Sequence, residues 1–370
     1  MVTPGGFSLA ILGTRGVPAR YGGFETFAEQ LATRLAGRGH RVTVYGRSRY
    51  TPAPLEGVES IVLPALYTKH LETASHTFLS TLHCMQRRPD VALMCNTANA
   101  CFLPLLRANG IPTVLNVDGI EWQRRKWGCG ARGVHLLAEH LAAAWADRMV
   151  ADARFIARYY RERHGVASTQ ISYGGDLPAP TGRELLIELG LEEGGYDLCV
   201  CRFEPENRPL TVVQAHRRLQ HPRPLVMVGG APYARRYQEA LRREAGPQVL
   251  FTGFRFGDEY RQLLFHARAF LYAGEVGGTH PVLLEAMGAG RLVLYHDTPE
   301  NRETVGDAGI PFGPGGVDAL QAVWEQLQSR PEWPHLFGTR ARTRVQRYYR
   351  WDTITDAYED LLLQIAGRRG

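Results

Sequence analysis

The feature that most constrains the fold is a rhythm that occurs twice: short apolar runs separated by longer stretches with helical spacing. In the first half the runs lie at 8–12, 42–45, 91–94, 113–117 and 148–151. Runs this short and this uniformly apolar suit strands buried on both faces, and the periodic stretches between them suit covering helices. Phe24, Phe27, Ala28, Leu31 and Leu35 mark one such helix, which Gly37 and Gly39 bring to an end. A break rich in glycine and proline follows at 173–182 (YGGDLPAPTG). The alternation then restarts, with runs at 198–201, 225–228, 249–251, 270–272 and 292–295. Segment 351–367 is an amphipathic helix carrying Ile354, Tyr358, Leu361, Leu362 and Ile365 on one face. Such a pattern predicts an α/β chain with a parallel, doubly wound sheet in each half.

The bulk numbers agree with two domains of ordinary size. A chain of 370 residues exceeds a single core. With 44% hydrophobic and 22% charged residues it lacks the signature of disorder. Its apolar stretches fall short of the ~20 residues that span a bilayer. The start, MVTPGGFSLAILG, has no basic region followed by an apolar core, so a cytoplasmic protein is expected. Cys84, Cys95, Cys101, Cys129, Cys199 and Cys201 form no metal-like pair, and buried reduced thiols are expected. Charge is uneven. Residues 1–170 hold 20 Lys plus Arg against 12 Asp plus Glu, whereas 171–370 hold 23 against 25. The basic surplus of the first half suggests an anionic partner there, a membrane surface or a lipid diphosphate; nothing in the chain resembles a nucleic-acid-binding module, so no nucleic acid is expected.

Two glycine-rich turns sit between a strand end and a helix start, where open α/β sheets bind ligands. In GTRGVPARYGGFE (13–25), Gly22 and Gly23 precede a helix whose N-terminus suits phosphate. The spacing is not that of a dinucleotide fingerprint, which disfavours a nicotinamide dehydrogenase. In AGEVGGTHPVLLEAMGAG (273–290), Gly277 and Gly278 permit close approach of a ligand, Thr279 or His280 would cap, and Pro281 suits the first helical turn. Glu285 follows one turn in, placed for ribose hydroxyls beside a phosphate site. No D-x-D pair and no H-x-x-x-H or H-E-x-x-H spacing occurs, so neither a metal nor another cofactor is expected.

Residues 253–294 resemble the donor-site region of glycosyltransferase family 4, as does CRFEPEN (201–207). ILGTRGVPARYGGFETFAEQLA (11–32) and LNVDGIEWQRRKW (115–127) resemble a narrower subgroup, typified by bacterial polysaccharide rhamnosyltransferases. The resemblance covers nearly the whole chain. It implies the GT-B fold: two Rossmann-like domains, at 1–175 and 176–348, facing across a cleft, with a C-terminal helix at 349–370 crossing back to the first. It also implies a retaining, metal-independent transfer of a hexose or deoxyhexose from a nucleotide sugar. L-rhamnose from dTDP-L-rhamnose is the implied donor, and a lipid-linked saccharide acceptor in bacterial cell-surface polysaccharide synthesis completes the implied reaction.

By this resemblance Gly22 and Gly23 approach the donor diphosphate, and Arg202 neutralises it as it leaves. Gly278, Thr279 and His280 hold donor sugar and phosphate through their backbones, and Glu285 is the second of the family's paired glutamates. Three positions depart from the family. The first paired glutamate is Gly277 here, with Glu275 two residues earlier; the usual lysine is Asn207, with Arg208 next; and the histidine after the fourth strand is Asp118. Asp118 and Glu121 are the candidates for orienting the acceptor hydroxyl or receiving its proton. Trp122, Arg124, Arg125, Lys126 and Trp127 combine aromatic and basic groups suited to a bilayer headgroup layer or a lipid diphosphate. Two rival readings share the fold, a nucleotide-sugar epimerase and a non-catalytic nucleotide-sugar or glycan binder.

Overall fold

The computed structural model describes residues 6–20, 22–47, 55–68, 71–124, 127–231 and 234–367. The chain divides into two compact units. The first comprises Met1–Gln123, Trp127–Tyr173 and Trp351–Gly370; the second comprises Arg124–Lys126 and Gly174–Arg350.

The first unit is built on strands β1 (Ser8–Leu12), β2 (Arg41–Arg47), β3 (Val58–Leu63), β4 (Val91–Cys95), β5 (Thr113–Asn116), β6 (Arg148–Ala151) and β7 (Thr169–Gln170). All run parallel in the order β3-β2-β1-β4-β5-β6-β7. Every residue of β1 and β4 is buried, because helices cover both faces. The helix Gly23–Gly37 lays Phe27, Ala28, Leu31, Ala32 and Leu35 into the interior. The last helix, Trp351–Ala366, belongs to this unit and buries Ile354, Tyr358, Leu361, Leu362 and Ile365. Polar contacts fix its register: Asn116 Nδ2 donates to Tyr358 Oη at 2.8 Å, Arg34 and Arg38 pair with Asp352 and Asp356, and His40 meets Glu359 at 2.6 Å.

The second unit repeats the plan with β8 (Asp197–Val200), β9 (Leu225–Val228), β10 (Val249–Gly253), β11 (Ala269–Tyr272), β12 (Leu292–His296) and β13 (Ile310–Phe312). The parallel order is β10-β9-β8-β11-β12-β13. The two sheets are the doubly wound pair that the alternation predicts. Strands β3, β7 and β13, which the apolar runs do not reveal, all lie at or next to sheet edges. There no residue of β3 is fully buried, and Pro311 in β13 has no N–H to give a further neighbour.

Four of the six thiols are shielded to some degree, but Cys101 and Cys129 are exposed, contrary to the expectation for the set. Cys101 lies in an exposed position of a 3-10 turn and Cys129 opens a helix. No helix among the described residues is long and apolar enough to cross a membrane.

One contact sets the position of the helix Pro281–Gly288. The segment at Gly175 runs so close to it that a Cβ on Gly175 would lie 2.5 Å from the Leu284 carbonyl oxygen, and a Cβ on Gly288 would strike the Gly175 carbonyl. Only backbone fits. Gly288→Ala is therefore expected to lower stability by about 1–3 kcal/mol through overpacking. Chemical denaturation should show this as a lower midpoint, against a neutral Gly246→Ala control at a position with open space around it.

Candidate active site

In each unit the strand order reverses next to the first strand, between β1 and β4 and between β8 and β11. Loops leaving the C-terminal ends of those strands converge at such a point. In the second unit these are the loop after β8, carrying Arg202 and Arg208, and the loop after β11, carrying Glu275 to His280. They are tied together. Glu275 N–H donates to the Glu206 carbonyl at 3.0 Å, and the Arg208 guanidinium meets Glu275 Oε1 at 3.3 Å and His296 Nε2 at 3.2 Å. Arg208 takes φ of +51°, a left-handed conformation that a non-glycine residue adopts only against a small energy cost. That turn closes Pro205–Asn207 and opens the helix Pro209–Arg217. A cavity of about 530 Å³ adjoins the pair, lined by Pro205, Arg208, Gln214, Tyr237, Glu275 and His296 among others.

The helix Pro281–Gly288 starts at the end of the second loop. His280 is its N-cap residue, yet no side chain caps it; the His280 carbonyl accepts from Leu283 and Leu284 instead. The imidazole packs against Tyr272, with ring centroids 4.9 Å apart. Burial, reinforced by the positive charges of Arg124 and Arg202, pulls His280 down to about 3, so it is neutral at physiological pH. A Cβ on Gly277 would lie 2.6 Å from its Nε2. Glu285 is only 4% exposed and accepts a 2.6 Å hydrogen bond from Tyr260 Oη. Burial lifts this carboxyl to about 7, against the opposing pull of the Tyr260 bond.

The first unit fixes its own loop with carboxylates. Arg15 N–H donates to Glu25 Oε1 at 2.8 Å and Ala19 N–H to Glu29 Oε2 at 2.5 Å. Arg15 and Arg47 both pair with the buried Glu72, at 3.1 and 2.6 Å. Gly22 is extended and its carbonyl receives the N–H groups of Glu25 and Thr26, so the helix starts at Gly23.

A family model described as "Glycosyltransferase Family 4" matches residues 21–173, and one described as "Glycosyl transferases group 1" matches 196–329. Between them they take in most of both sheets. The chain is a glycosyltransferase with the GT-B fold. A 167-residue stretch is 25% identical to the O-antigen chain mannosyltransferase B of Escherichia coli, covering 44% of this chain and 44% of that protein. The glycosyltransferase thus aligns with less than half the length of this relative. Over 98% of its residues it superposes on 99% of the sucrose-phosphate synthase of Thermosynechococcus elongatus, with a TM-score of 0.82 at 19% identity. Anabaena HepE in complex with UDP-glucose gives 0.78 at 15% identity, over 96% of this chain and 99% of that one. WaaG, a glycosyltransferase involved in lipopolysaccharide biosynthesis, gives 0.74 at 18%, over 94% and 99%.

The glycosyltransferase gathers Arg208 and Glu275 at one cavity, while Arg202, Gly277, Gly278, Thr279, His280 and Glu285 lie outside its lining. Arg202 is half-buried and stands 3.8 Å from Glu204. Thr279 is buried at the helix entry. Asp118 lies just past the end of β5, and Glu121 is buried in the short turn that follows, where Trp127 Nε1 donates to it at 3.4 Å. Three residues of the aromatic-basic segment, Trp122, Arg124 and Trp127, are turned inward rather than outward as a membrane contact requires. Trp122 packs on the core and donates to Tyr159 Oη at 3.0 Å, Trp127 is turned to Glu121, and Arg124 is 5% exposed with Glu206 Oε1 4.0 Å away. Indole N–H groups and a guanidinium find partners inside, which outweighs exposure. Arg125 and Lys126 lie outside the described residues.

Sequence reasoning missed Tyr260, Glu25, Glu29 and Glu72. Glu25 alone had a local signal, since an acid three residues past a helix N-cap reaches back toward preceding N–H groups. Among the described residues no group of three His, Cys, Asp or Glu is arranged to hold a metal ion.

The Glu285 environment makes a pH prediction. Below about 4.5 the carboxyl is protonated both folded and unfolded. As pH rises from there to about 7, the unfolded chain releases a proton that the folded one retains, so stability is lost across that window. Glu285→Gln removes this penalty. Its unfolding free energy at pH 8 should exceed that of wild type by on the order of 3 kcal/mol, seen as a higher melting temperature, and the difference should vanish near pH 4. A variant less stable at pH 8 would refute the assignment.

Proposed function

We propose that this GT-B protein transfers a hexosyl or 6-deoxyhexosyl group from a nucleoside-diphosphate donor to a saccharide acceptor, with retention and without a metal. The observation that carries the reading is the second unit's join between two loops. Arg208 and Glu275 are locked together at a cavity, and the loop that carries Glu275 runs on into the helix that holds Glu285, which is paired with Tyr260. Arginine and helix dipole supply the positive charge that a departing diphosphate requires, a role that a metal ion fills in other enzymes. In this reading Arg202 and Arg208 neutralise the diphosphate, and Glu285 accepts from ribose hydroxyls, with Tyr260 holding its orientation. The backbone of Gly277 to His280 lies against donor sugar and phosphate, and Glu275, steadied by Arg208, reads a sugar hydroxyl. Gly22 and Gly23 are the first unit's candidates for contacting phosphate.

On the acceptor side, Asp118 orients the incoming hydroxyl and Glu121 supports it. Their place at the end of β5 favours this role, because a carboxylate there meets ligand at the strand's C-terminal end. The names of the O-antigen mannosyltransferase and of WaaG, and the basic surplus of the first 170 residues, favour a lipid-linked saccharide of cell-surface polysaccharide as acceptor. The N-terminal resemblance favours L-rhamnose from dTDP-L-rhamnose as the donor sugar, and work at the inner face of a membrane fits the acceptor.

A turnover and thermal-shift screen of dTDP-, UDP- and GDP-sugars, run with EDTA throughout, tests the reading. A true donor at ~100 times its dissociation constant adds ~2.7 kcal/mol of stability, and its nucleotide should be released without metal. Arg202→Ala should lower that turnover by about 100-fold or more, and Glu285→Ala should weaken donor binding at pH 8. Full activity in both variants would move the donor site elsewhere, and activity abolished by EDTA would overturn the metal-independent mechanism.

A further inference from the structure

The second sheet has a second concentration of charge at its other end. Arg223, Arg268 and Arg291 stand one or two residues before β9, β11 and β12, so all three lie at the N-terminal edge, away from the loops of the candidate active site. The helix Trp333–Tyr348 covers that edge and brings His335 and Arg342 to the same place. Together they line a half-open recess of about 540 Å³ whose walls include no carboxylate side chain.

Four guanidiniums meet there, and one is neutralised. Arg268 makes a two-pronged ion pair with Asp197, which is 1% exposed and also accepts from Trp324 Nε1. The other three donate to backbone carbonyls: Arg223 to Gly194, Arg291 to Ala267 and Ala289, and Arg342 to Ala289. None of these three forms an ion pair with a carboxylate among the described residues. Arg291 and Arg342 converge on one carbonyl, so their like charges are held close. Glu193, engaged by Arg183 and His266, offers Arg291 only a weaker attraction from a distance. The wall is also rigid, because the helix passes Gly290 so closely that a Cβ on Gly338 would strike the Gly290 carbonyl.

We propose that this recess is a binding site for a small phosphorylated sugar, separate from the donor site. Convergent guanidiniums with no carboxylate opposite them are matched by a phosphate, which accepts several charge-assisted hydrogen bonds at once. The recess exceeds the size of inorganic phosphate, and Gln328 and Thr339 in its wall offer neutral hydrogen-bonding groups to sugar hydroxyls. The site stands independently of which sugar the enzyme transfers.

Isothermal titration of the full chain with glucose 6-phosphate, at constant ionic strength, tests the assignment. Glucose and inorganic phosphate serve as comparison titrants. The expected result is saturable binding of glucose 6-phosphate, tighter than inorganic phosphate, with none for glucose. Arg342→Gln and Arg223→Gln should each weaken it by about tenfold or more, while Arg208→Gln at the donor cavity leaves it unchanged. Arg223 is exposed, so its variant tests the site even if Arg342→Gln folds poorly. No saturable binding at millimolar concentration overturns the proposal. So does unchanged, wild-type affinity in both recess variants, or loss of binding in Arg208→Gln, which would place the phosphate at the donor cavity.

Discussion

A parallel sheet covered by helices on both faces leaves its polar chemistry only at the strand ends, and both units of this chain are organised by that constraint. The faces are sealed: β1, β4, β9 and β11 are buried along their whole length. Loops at the C-terminal ends at the order reversal diverge to opposite sides and leave room between them. Helix starts gather at those same ends, and their partial positive charge adds to that of any arginine nearby. Donor chemistry that needs positive charge without a metal is therefore favoured at one end of the second sheet. At the opposite end Arg223, Arg291 and Arg342 cannot draw on strand-following loops and are held by carbonyls instead, while Arg268 pairs with Asp197.

The legible part of this fold was the part with a strong periodic signal. Central strands show as uninterrupted apolar runs because both faces are dry, and the last helix shows as a clean stripe because one face is. The edge strands β3 and β13 were hidden for the complementary reason. VESIVL is partly exposed along its whole length and carries Glu59 and Ser60 near its start, so it shows no uninterrupted apolar run, and the three residues of IPF are too few to carry a period. At the site, glycines and a proline at a strand–helix turn pointed to Gly277–Pro281 and hence to Glu285. Tyr260 was not legible, because it reaches Glu285 from a different helix 25 residues away, and no spacing rule connects them. Trp122 and Trp127 were misread for a related reason: composition says that an indole and a cation are present, not which way they point.

The departures from the family pattern have a common geometric cause in the loop after β11. The position that would carry the first paired glutamate is Gly277, and the space a side chain there would need is filled by the His280 imidazole. Burial keeps that imidazole neutral, so it packs on Tyr272 as an apolar ring. With 277 closed to a side chain, the nearest carboxylate in the loop is Glu275. Its backbone is fixed by the Glu206 carbonyl and its side chain by Arg208. Arg208 follows Asn207, where the family's lysine would stand, and the left-handed turn at Arg208 belongs to the same arrangement. The shifted glutamate and the substituted cation are thus one change made twice, each partner holding the other in place.

Glu285 shows why such a site is not arranged for stability. A carboxyl at 4% exposure with one hydroxyl partner has lost most of its hydration and recovered part of it through Tyr260. The raised pKa measures the remainder, which the folded chain bears at neutral pH. The surrounding helix is held by a backbone contact at Gly175 and Gly288 and by Leu283, Leu284 and Met287, all fully buried, so it does not depend on the glutamate. A residue that weakens the fold and is not needed by its helix makes sense when a bound partner supplies the missing hydrogen bonds. Ribose hydroxyls can supply them, and a charged carboxylate accepts them more strongly than a neutral side chain would.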